Sequence, residues 1–305
     1  MTDPDKLEQF EMARPQLLGI AYRLLGSMAE AEDAVQDTAA RWFARDASAI
    51  DQPTAWLTRV CTNRCLDILR SSRWSRTDYV GPWLPDQIQV AESPDAAEQL
   101  EIASSLTTAF LLLLERLSPK ERAAYLLHDI FGLPFKDVAD TLGMSEANSR
   151  KHASRARKLV TEENVRFVPD RDRQFELLAM FQAAVTSGDL DPLKSALSKD
   201  LELRIDSGGK APAIRRVLSG RGDVGRYLTS ALHRLWQPVD FLSVTTNSGY
   251  GLLASVDGAP HALVTFGFRA DGRIGSVFIL RNPEKIDAFL KRRIVLHPGG
   301  GVALH

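Results

Sequence analysis

The sequence predicts a multidomain protein: two all-helical domains, the second carrying a helix-turn-helix, followed by an α+β domain with an antiparallel sheet. Three observations predict this. Apolar residues recur at mixed three- and four-residue spacings from residue 6 to about 73, and helical signals return from about 95 to 159. Past Pro169-Asp170, one helix of about 171–187 and a shorter one give way to alternating segments rich in Val, Leu, Thr and Phe. Asn247-Ser248-Gly249, Asp257-Gly258 and Asp271-Gly272 punctuate those segments, and such residues favour hairpin turns. A chain of 305 residues also exceeds what one small core holds together.

Composition narrows the function classes. Hydrophobic residues make up 44% and charged residues 25%, the balance of an ordinary globular protein. No apolar run approaches the roughly 18 residues of a membrane span. The acidic start Met1-Thr2-Asp3-Pro4-Asp5-Lys6 lacks the apolar core of a secretory signal, so a cytoplasmic location with no membrane partner is expected. Two cysteines exclude a disulfide scaffold and a four-cysteine zinc site, and neither metal nor cofactor is expected.

A net charge of −1 argues against nonspecific coating of nucleic acid, but the charge is segregated. Arg59, Arg64, Arg70, Arg73 and Arg76 cluster, with Asp67 the only acid between positions 52 and 77. From Arg76 to Arg116 no basic residue intervenes, while Asp78, Asp86, Glu92, Asp95, Glu98, Glu101 and Glu115 fall there. Arg150, Lys151, Arg155, Arg157 and Lys158 then gather against Glu146. Two phosphate-facing patches are thus joined by an acidic connector.

Taken in order, residues 1–77 form the first helical domain. Gly26-Ser27 ends its first helix, and Ser27 is placed to cap the second. The first turns of that second helix carry Glu30, Glu32 and Asp33, where the helix dipole favours acids. Residues 46–53 read as a loop before a third helix. On that helix Trp56, Leu57, Val60, Cys61, Ile68 and Leu69 line a core side, and Arg59, Asn63 and Arg70 fall opposite with Asp67 at their margin. A basic face carrying an amide suits a DNA backbone and an exposed base edge. Taken alone it equally suits a solvated face. Cys61 and Cys65 read as buried small hydrophobes. Residues 78–97, with prolines and few helical signals, form the linker.

Residues 98–163 hold the sharpest signal, Pro134-Phe-Lys-Asp-Val-Ala-Asp-Thr-Leu-Gly143-Met-Ser145 followed by the basic run to Val160. Val138, Ala139 and Leu142 share one face of a short helix. Gly143 suits its left-handed end, and Ser145 suits the cap of the next helix. On the second helix Ser149, Ala153, Ala156 and Val160 share a small-residue face that can nest on the first. Lys151, Arg155 and Lys158 form a stripe elsewhere, with Glu146, Asn148, Ser149 and His152 towards the leading end. A recognition helix presents its early residues to base edges and its later basic residues to phosphates. Residues 170–292 form the α+β domain and residues 293–305 its tail, of which 298–305 read as frayed.

These residues carry a family resemblance. Ala31-Glu-Asp-Ala-Val-Gln-Asp37, Ala55-Trp-Leu-Thr-Arg-Val and Thr62-Asn-Arg-Cys-Leu-Asp-Ile-Leu-Arg70 resemble the first conserved domain of extracytoplasmic-function (ECF) RNA polymerase sigma factors. Leu117-Ser-Pro-Lys-Glu-Arg122 and the helix-turn-helix ending in Ser154-Arg-Ala-Arg157 resemble the second. The resemblance spans roughly residues 10 to 160. It implies that Glu30, Glu32, Asp33, Gln36 and Asp37 dock on the clamp of the polymerase beta-prime subunit, and that the second domain meets the beta flap. It further implies that Arg59, Asn63, Asp67, Arg70 and Arg73 engage the minus-ten element of promoter DNA. The helix from Glu146 to Lys158 would then read the minus-thirty-five element.

Gly81-Pro-Trp-Leu-Pro85, Asp206-Ser-Gly-Gly-Lys210 and Asn282-Pro-Glu-Lys-Ile286 are similar to signatures of the SigJ-type ECF subgroup, which carries a SnoaL-like extension. That resemblance implies an NTF2-like cone with a curved antiparallel sheet, acting in cis on transcription. Trp83, Leu84 and Pro85 put apolar bulk into a polar linker and need a partner to bury them. The expected partner is the attached domain near Asp206, Gly208, Gly209 and Lys210 or near Asn282, Pro283 and Lys285. Alternatives stay open here. The acidic linker can occupy the polymerase RNA channel or serve as a solvated tether. The cone can contact protein, sense a small-molecule ligand in its pocket, or use Asp206, His233 or His261 in catalysis. A one-component operator-binding regulator is the competing class, although such a protein needs neither the polymerase-docking signature nor the acidic linker.

Overall fold

Three apolar-faced helices begin the chain in the computed structural model, which describes residues 3–45, 50–77, 79–90, 103–163 and 167–304. Helix α1 (Asp3–Leu25) buries Phe10, Leu17, Leu18, Ala21, Leu24 and Leu25 and stops at Gly26, whose φ is 69°. Helix α2 (Met28–Ala44) starts at Ser27, but the Ser27 side chain makes no capping bond. Asp86 of the linker does that work, its Oδ2 accepting from Met28 N at 2.9 Å. Helix α3 (Pro53–Thr77) buries Leu57, Cys61, Cys65 and Leu66 in the same core.

The linker passes through strand β1 (Gln89–Val90). Helix α4 (Thr108–Leu114) is capped by the Thr107 hydroxyl, which accepts from Phe110 N. Helix α5 (Pro119–Tyr125) opens on a reciprocal box between Ser118 and Glu121 and widens into a π-turn over Leu126–Ile130. Helix α6 (Phe135–Leu142) ends at Gly143 with φ 61°, and α7 (Glu146–Glu163) buries Ser149, Ala153, Ala156 and Val160 against it. These elements share one hydrophobic core with α1–α3.

The remaining chain builds the cone. Helix α8 (Arg171–Ser187), capped by Asp170 and ended at Gly188, lies across the sheet with α9 (Asp191–Lys194). Strands β2 (Leu197–Asp206), β3 (Leu218–Ser219), β4 (Asp240–Thr246), β5 (Gly249–Val256), β6 (Ala259–Phe268) and β7 (Ile274–Leu280) order as β3-β2-β7-β6-β5-β4. Neighbours run antiparallel except β2 and β7, which are parallel with Leu203 opposite Val277. Helix α10 (Arg221–Arg226) crosses between β3 and β4 and helix α11 (Pro283–Lys291) follows β7. Leu177, Phe181, Leu203, Trp236, Phe266 and Val277 fill the interior.

The expected frayed tail is ordered. Strand β8 (Arg293–His297) pairs parallel with β1, Gln89 opposite Arg293, and turns back through Pro298–Gly300 into β9 (Gly301–Leu304). Ile294, Leu296 and Val302 are buried in the core that holds α1. A two-stranded ribbon is marginal by itself. Here the linker supplies a third strand and α1 an apolar floor, neither of which is adjacent in sequence. Among the described residues, no helix is long and apolar enough to cross a membrane.

Candidate promoter and polymerase interfaces

On α7 the exposed side chains are those that the amphipathic pattern predicts. Asn148 and Lys151 face solvent. Arg155 is 57% exposed and reaches Glu121 at 3.4 Å, and Lys158 is 77% exposed beside Glu162. Arg150 pairs with Glu146 at 2.9 Å and lies over the Phe135 ring. His152 is half-buried, its Nδ1 4.0 Å from Glu121. Ser149 meets the packing expectation and departs from the DNA-facing one. It is fully buried, with its hydroxyl donating to Glu146 O at 2.9 Å, so it belongs to helix packing and not to a DNA-facing surface. Its small volume is what lets α7 approach α6.

The basic face of α3 is only partly open. Arg59, Asp67 and Arg70 are exposed, and Arg70 pairs with Asp67 at 3.0 Å. Arg73 has a side chain outside the described residues. Asn63 is half-buried because its amide donates to Thr141 O of α6 at 3.1 Å, besides Arg59 O at 2.9 Å. The basic face of α3 therefore packs on α6, the first helix of the helix-turn-helix. A cavity of about 620 Å³ lies along this seam, lined by Trp56, Arg59, Leu133, Asp137, Asp140 and Thr141.

Helix α2 holds the acidic group. Asp33 and Gln36 are exposed and Glu30 is half-buried. Asp37 pairs with Arg64 at 2.6 Å, and Glu32 pairs with Arg292, just past α11, at 2.9 Å. The chain's last strand thus ends beside this face, where Leu304 joins Glu32, Val35 and Gln36 around a second cavity.

At the junction of linker and cone, the structure brings most of the expected contact residues together. Asp206 has no exposed surface. Its Oδ1 accepts from the Tyr79 hydroxyl at 2.6 Å and Gly208 N at 3.1 Å. Its Oδ2 accepts from Leu84 N at 2.9 Å and Lys285 Nζ at 3.0 Å. Lys285 also donates to Leu84 O, lies 3.6 Å from Asp86, and sits under the Trp83 ring at 4.7 Å. Asn282 caps α11, of which Pro283 is the first residue, and donates to Tyr79 Oη at 3.1 Å. Gly208 and Gly209 have positive φ, and a Cβ on Gly208 would lie 2.6 Å from Asn282 Nδ2. Lys210 stands apart, paired with Glu284 at the surface.

Tyr79 and Asp86 are members that sequence reasoning missed, an aromatic hydroxyl and an acid hidden among linker residues of similar type. Burial first, and then the bond to Asp206, push the Tyr79 phenol well above its ordinary value, so it stays a donor. Trp83 also touches the first domain. A Cβ at Gly26 would lie 2.7 Å from its ring. The three candidate acid/base residues each have a partner of their own. Asp206 is taken up as described, and His233 Nδ1 lies 3.0 Å from Val185 O. His261 Nε2 lies 2.7 Å from Arg281, and burial, then that guanidinium, lowers its pKa.

A helix-turn-helix with a solvent-facing basic stripe, a basic amide-bearing helix and an acidic helix fit a transcription initiation factor of the sigma class. The Sigma-70 region 2 profile matches residues 10–75 and the Sigma-70, region 4 profile residues 107–160. The chain is 36% identical to the ECF RNA polymerase sigma factor SigJ of Mycobacterium tuberculosis over 97% of its own length and 98% of that protein's. The crystal structure of the same SigJ superposes with a TM-score of 0.70 at 35% identity, covering 92% of this chain and 98% of that one. The chain belongs to the ECF RNA polymerase sigma factors. It resembles SigJ throughout, cone included, and as a member of that family it binds core polymerase and directs it to promoters.

Proposed function

We infer that the described arrangement is a closed form of the sigma factor, held by the cone and opened when core polymerase is engaged. The observation that carries this reading is the Asn63–Thr141 hydrogen bond, which packs one promoter-facing helix on the helix-turn-helix. In the open form Glu30, Glu32, Asp33, Gln36 and Asp37 meet the beta-prime clamp and the second domain meets the beta flap. Arg59, Asn63, Asp67, Arg70 and Arg73 then engage the minus-ten element, and Glu146, Asn148, Lys151, His152, Arg155 and Lys158 the minus-thirty-five element. The work is done in the cytoplasm, where core polymerase meets promoters.

The cone acts through protein contact. The separate hydrogen-bond partners of Asp206, His233 and His261 support this over catalysis. The buried Asp206–Lys285 pair supports a cis-regulatory grip on Trp83, Leu84 and Pro85, because breaking it strands a charge. The test is the separation of fluorophores on α2 and α7 of the full chain. It increases when core polymerase is added, and a separation that stays unchanged in an active holoenzyme overturns the closed-form reading.

A further inference from the structure

The turn Asn247-Ser248-Gly249 between β4 and β5 lies outside all three signature motifs, yet it is buried where the cone meets both helical domains and the linker. Asn247 is 1% exposed and Ser248 2%. Asn247 N donates to Ile88 O at 2.9 Å, and its Oδ1 accepts from Ile88 N at 3.0 Å. Its Nδ2 donates to Leu106 O at 2.7 Å and to Tyr22 Oη at 3.2 Å. Ser248 Oγ accepts from Thr108 N at 2.9 Å and lies equally close to Thr108 Oγ1. Tyr22 belongs to the first helical domain, Ile88 to the linker, and Leu106 and Thr108 to the second helical domain.

The turn is also braced from behind. Gly249 has φ 91°, and a Cβ there would lie 2.3 Å from Gln174 Oε1. That oxygen accepts from Tyr250 N at 2.9 Å, while Gln174 Nε2 donates to Pro169 O at 2.7 Å. The turn therefore cannot retreat into the cone without dislodging α8.

We propose that Asn247 is the positioning residue through which the cone holds the two promoter-reading domains together. The proposal rests on the closed-form reading and adds a second point of control to the linker grip. Moving α1 away from Leu106–Thr108 takes an acceptor from the Asn247 amide, and a buried donor without an acceptor is the costly way to lose a hydrogen bond. One carboxamide thus couples the separation of the domains to withdrawal of the turn.

Full-length protein labelled at Glu8→Cys and Lys120→Cys tests this by energy transfer, since both positions are exposed and the native Cys61 and Cys65 are buried. Asn247→Ala is expected to lower transfer without polymerase and to speed amide exchange at Ile88 and Thr108 about tenfold. Exchange at the Leu84 amide, held by Asp206, stays at the wild-type rate. Transcription at limiting core polymerase rises. Ser248→Ala removes only the Thr108 contact, so it speeds exchange at Thr108 alone; it also serves if the Asn247 variant fails to fold. Wild-type transfer and exchange in Asn247→Ala, or unchanged Thr108 exchange in Ser248→Ala, overturns the proposal. Equal acceleration at Leu84 does so too, because it means a general loosening of the cone. Failure of the closed-form reading looks different: wild-type transfer then stays constant when core polymerase binds.

Discussion

Asp206 satisfies four donors from three stretches of chain, and no other described carboxylate of the cone is so fully enclosed. Asp206→Ala leaves Lys285 half-compensated by Asp86 and strips the Leu84 amide, at a cost of about 3 kcal/mol. Urea unfolding of the full chain measures it, and Asp206→Asn, which keeps an acceptor, loses less. The residues proposed to face DNA separate by exposure in the same way. Lys151→Ala and Arg155→Ala are expected to weaken promoter binding and to reduce its salt slope by about one counterion each. Asn148→Ala changes sequence preference instead. Ser149→Ala leaves the salt slope at the wild-type value, and a reduced slope there would return Ser149 to the DNA face.

The start of α5 shows how one element carries a pH response. Burial raises the Glu121 pKa. The Ser118 hydroxyl and amide, Arg155 and His152 outweigh that, so the folded carboxyl sits below its ordinary 4.5. A folded value below the unfolded one contributes stability that is present above 4.5 and lost as pH falls through the folded value. The helix-turn-helix domain should therefore lose melting temperature as pH falls below 4.5, and Glu121→Gln should flatten that dependence. The same hub ties α5 to α7. Acid weakening there also frees Arg155, visible as faster exchange at the α5 amino terminus.

At the scale of the molecule, linker, cone and terminal strands close on one another. Trp83 touches Gly26 of the first domain and Lys285 of the cone, so it reports on both. Trp83→Ala is expected to loosen the cone from the helical domains and to change transcription with core polymerase. Small-angle scattering measures the loosening as a larger radius of gyration, and a variant with wild-type radius and wild-type transcription excludes a regulatory role for Trp83. The tail adds to the closure. Gly300 O accepts from the buried Arg23, and a Cβ on Gly19 would lie 2.5 Å from that oxygen.

Local pattern was enough for much of this protein. The i, i+3, i+4 spacing of α6 and α7, the Gly143 stop and the small-residue face follow from short-range sterics, so the helix-turn-helix was legible without coordinates. The hairpin turns at Asp257-Gly258 and Asp271-Gly272 were legible for the same reason, since positive φ selects its residues locally. Of the linker–cone junction, Trp83-Leu84-Pro85 stood out because apolar bulk in a polar stretch demands burial. Other features were invisible at that range. Asp86 replaces Ser27 as the cap of α2, Tyr79 joins Asp206, residues 293–304 become strands, and Asn247 turns from a hairpin residue into a three-domain contact. Each depends on a partner more than 50 positions away, and the choice among competing acids, hydroxyls and amides is made by packing. The sequence by itself determined the elements, the family and the charged faces; only the tertiary structure decided which faces are covered, because hydrogen-bond geometry between distant segments leaves no periodic trace in either one.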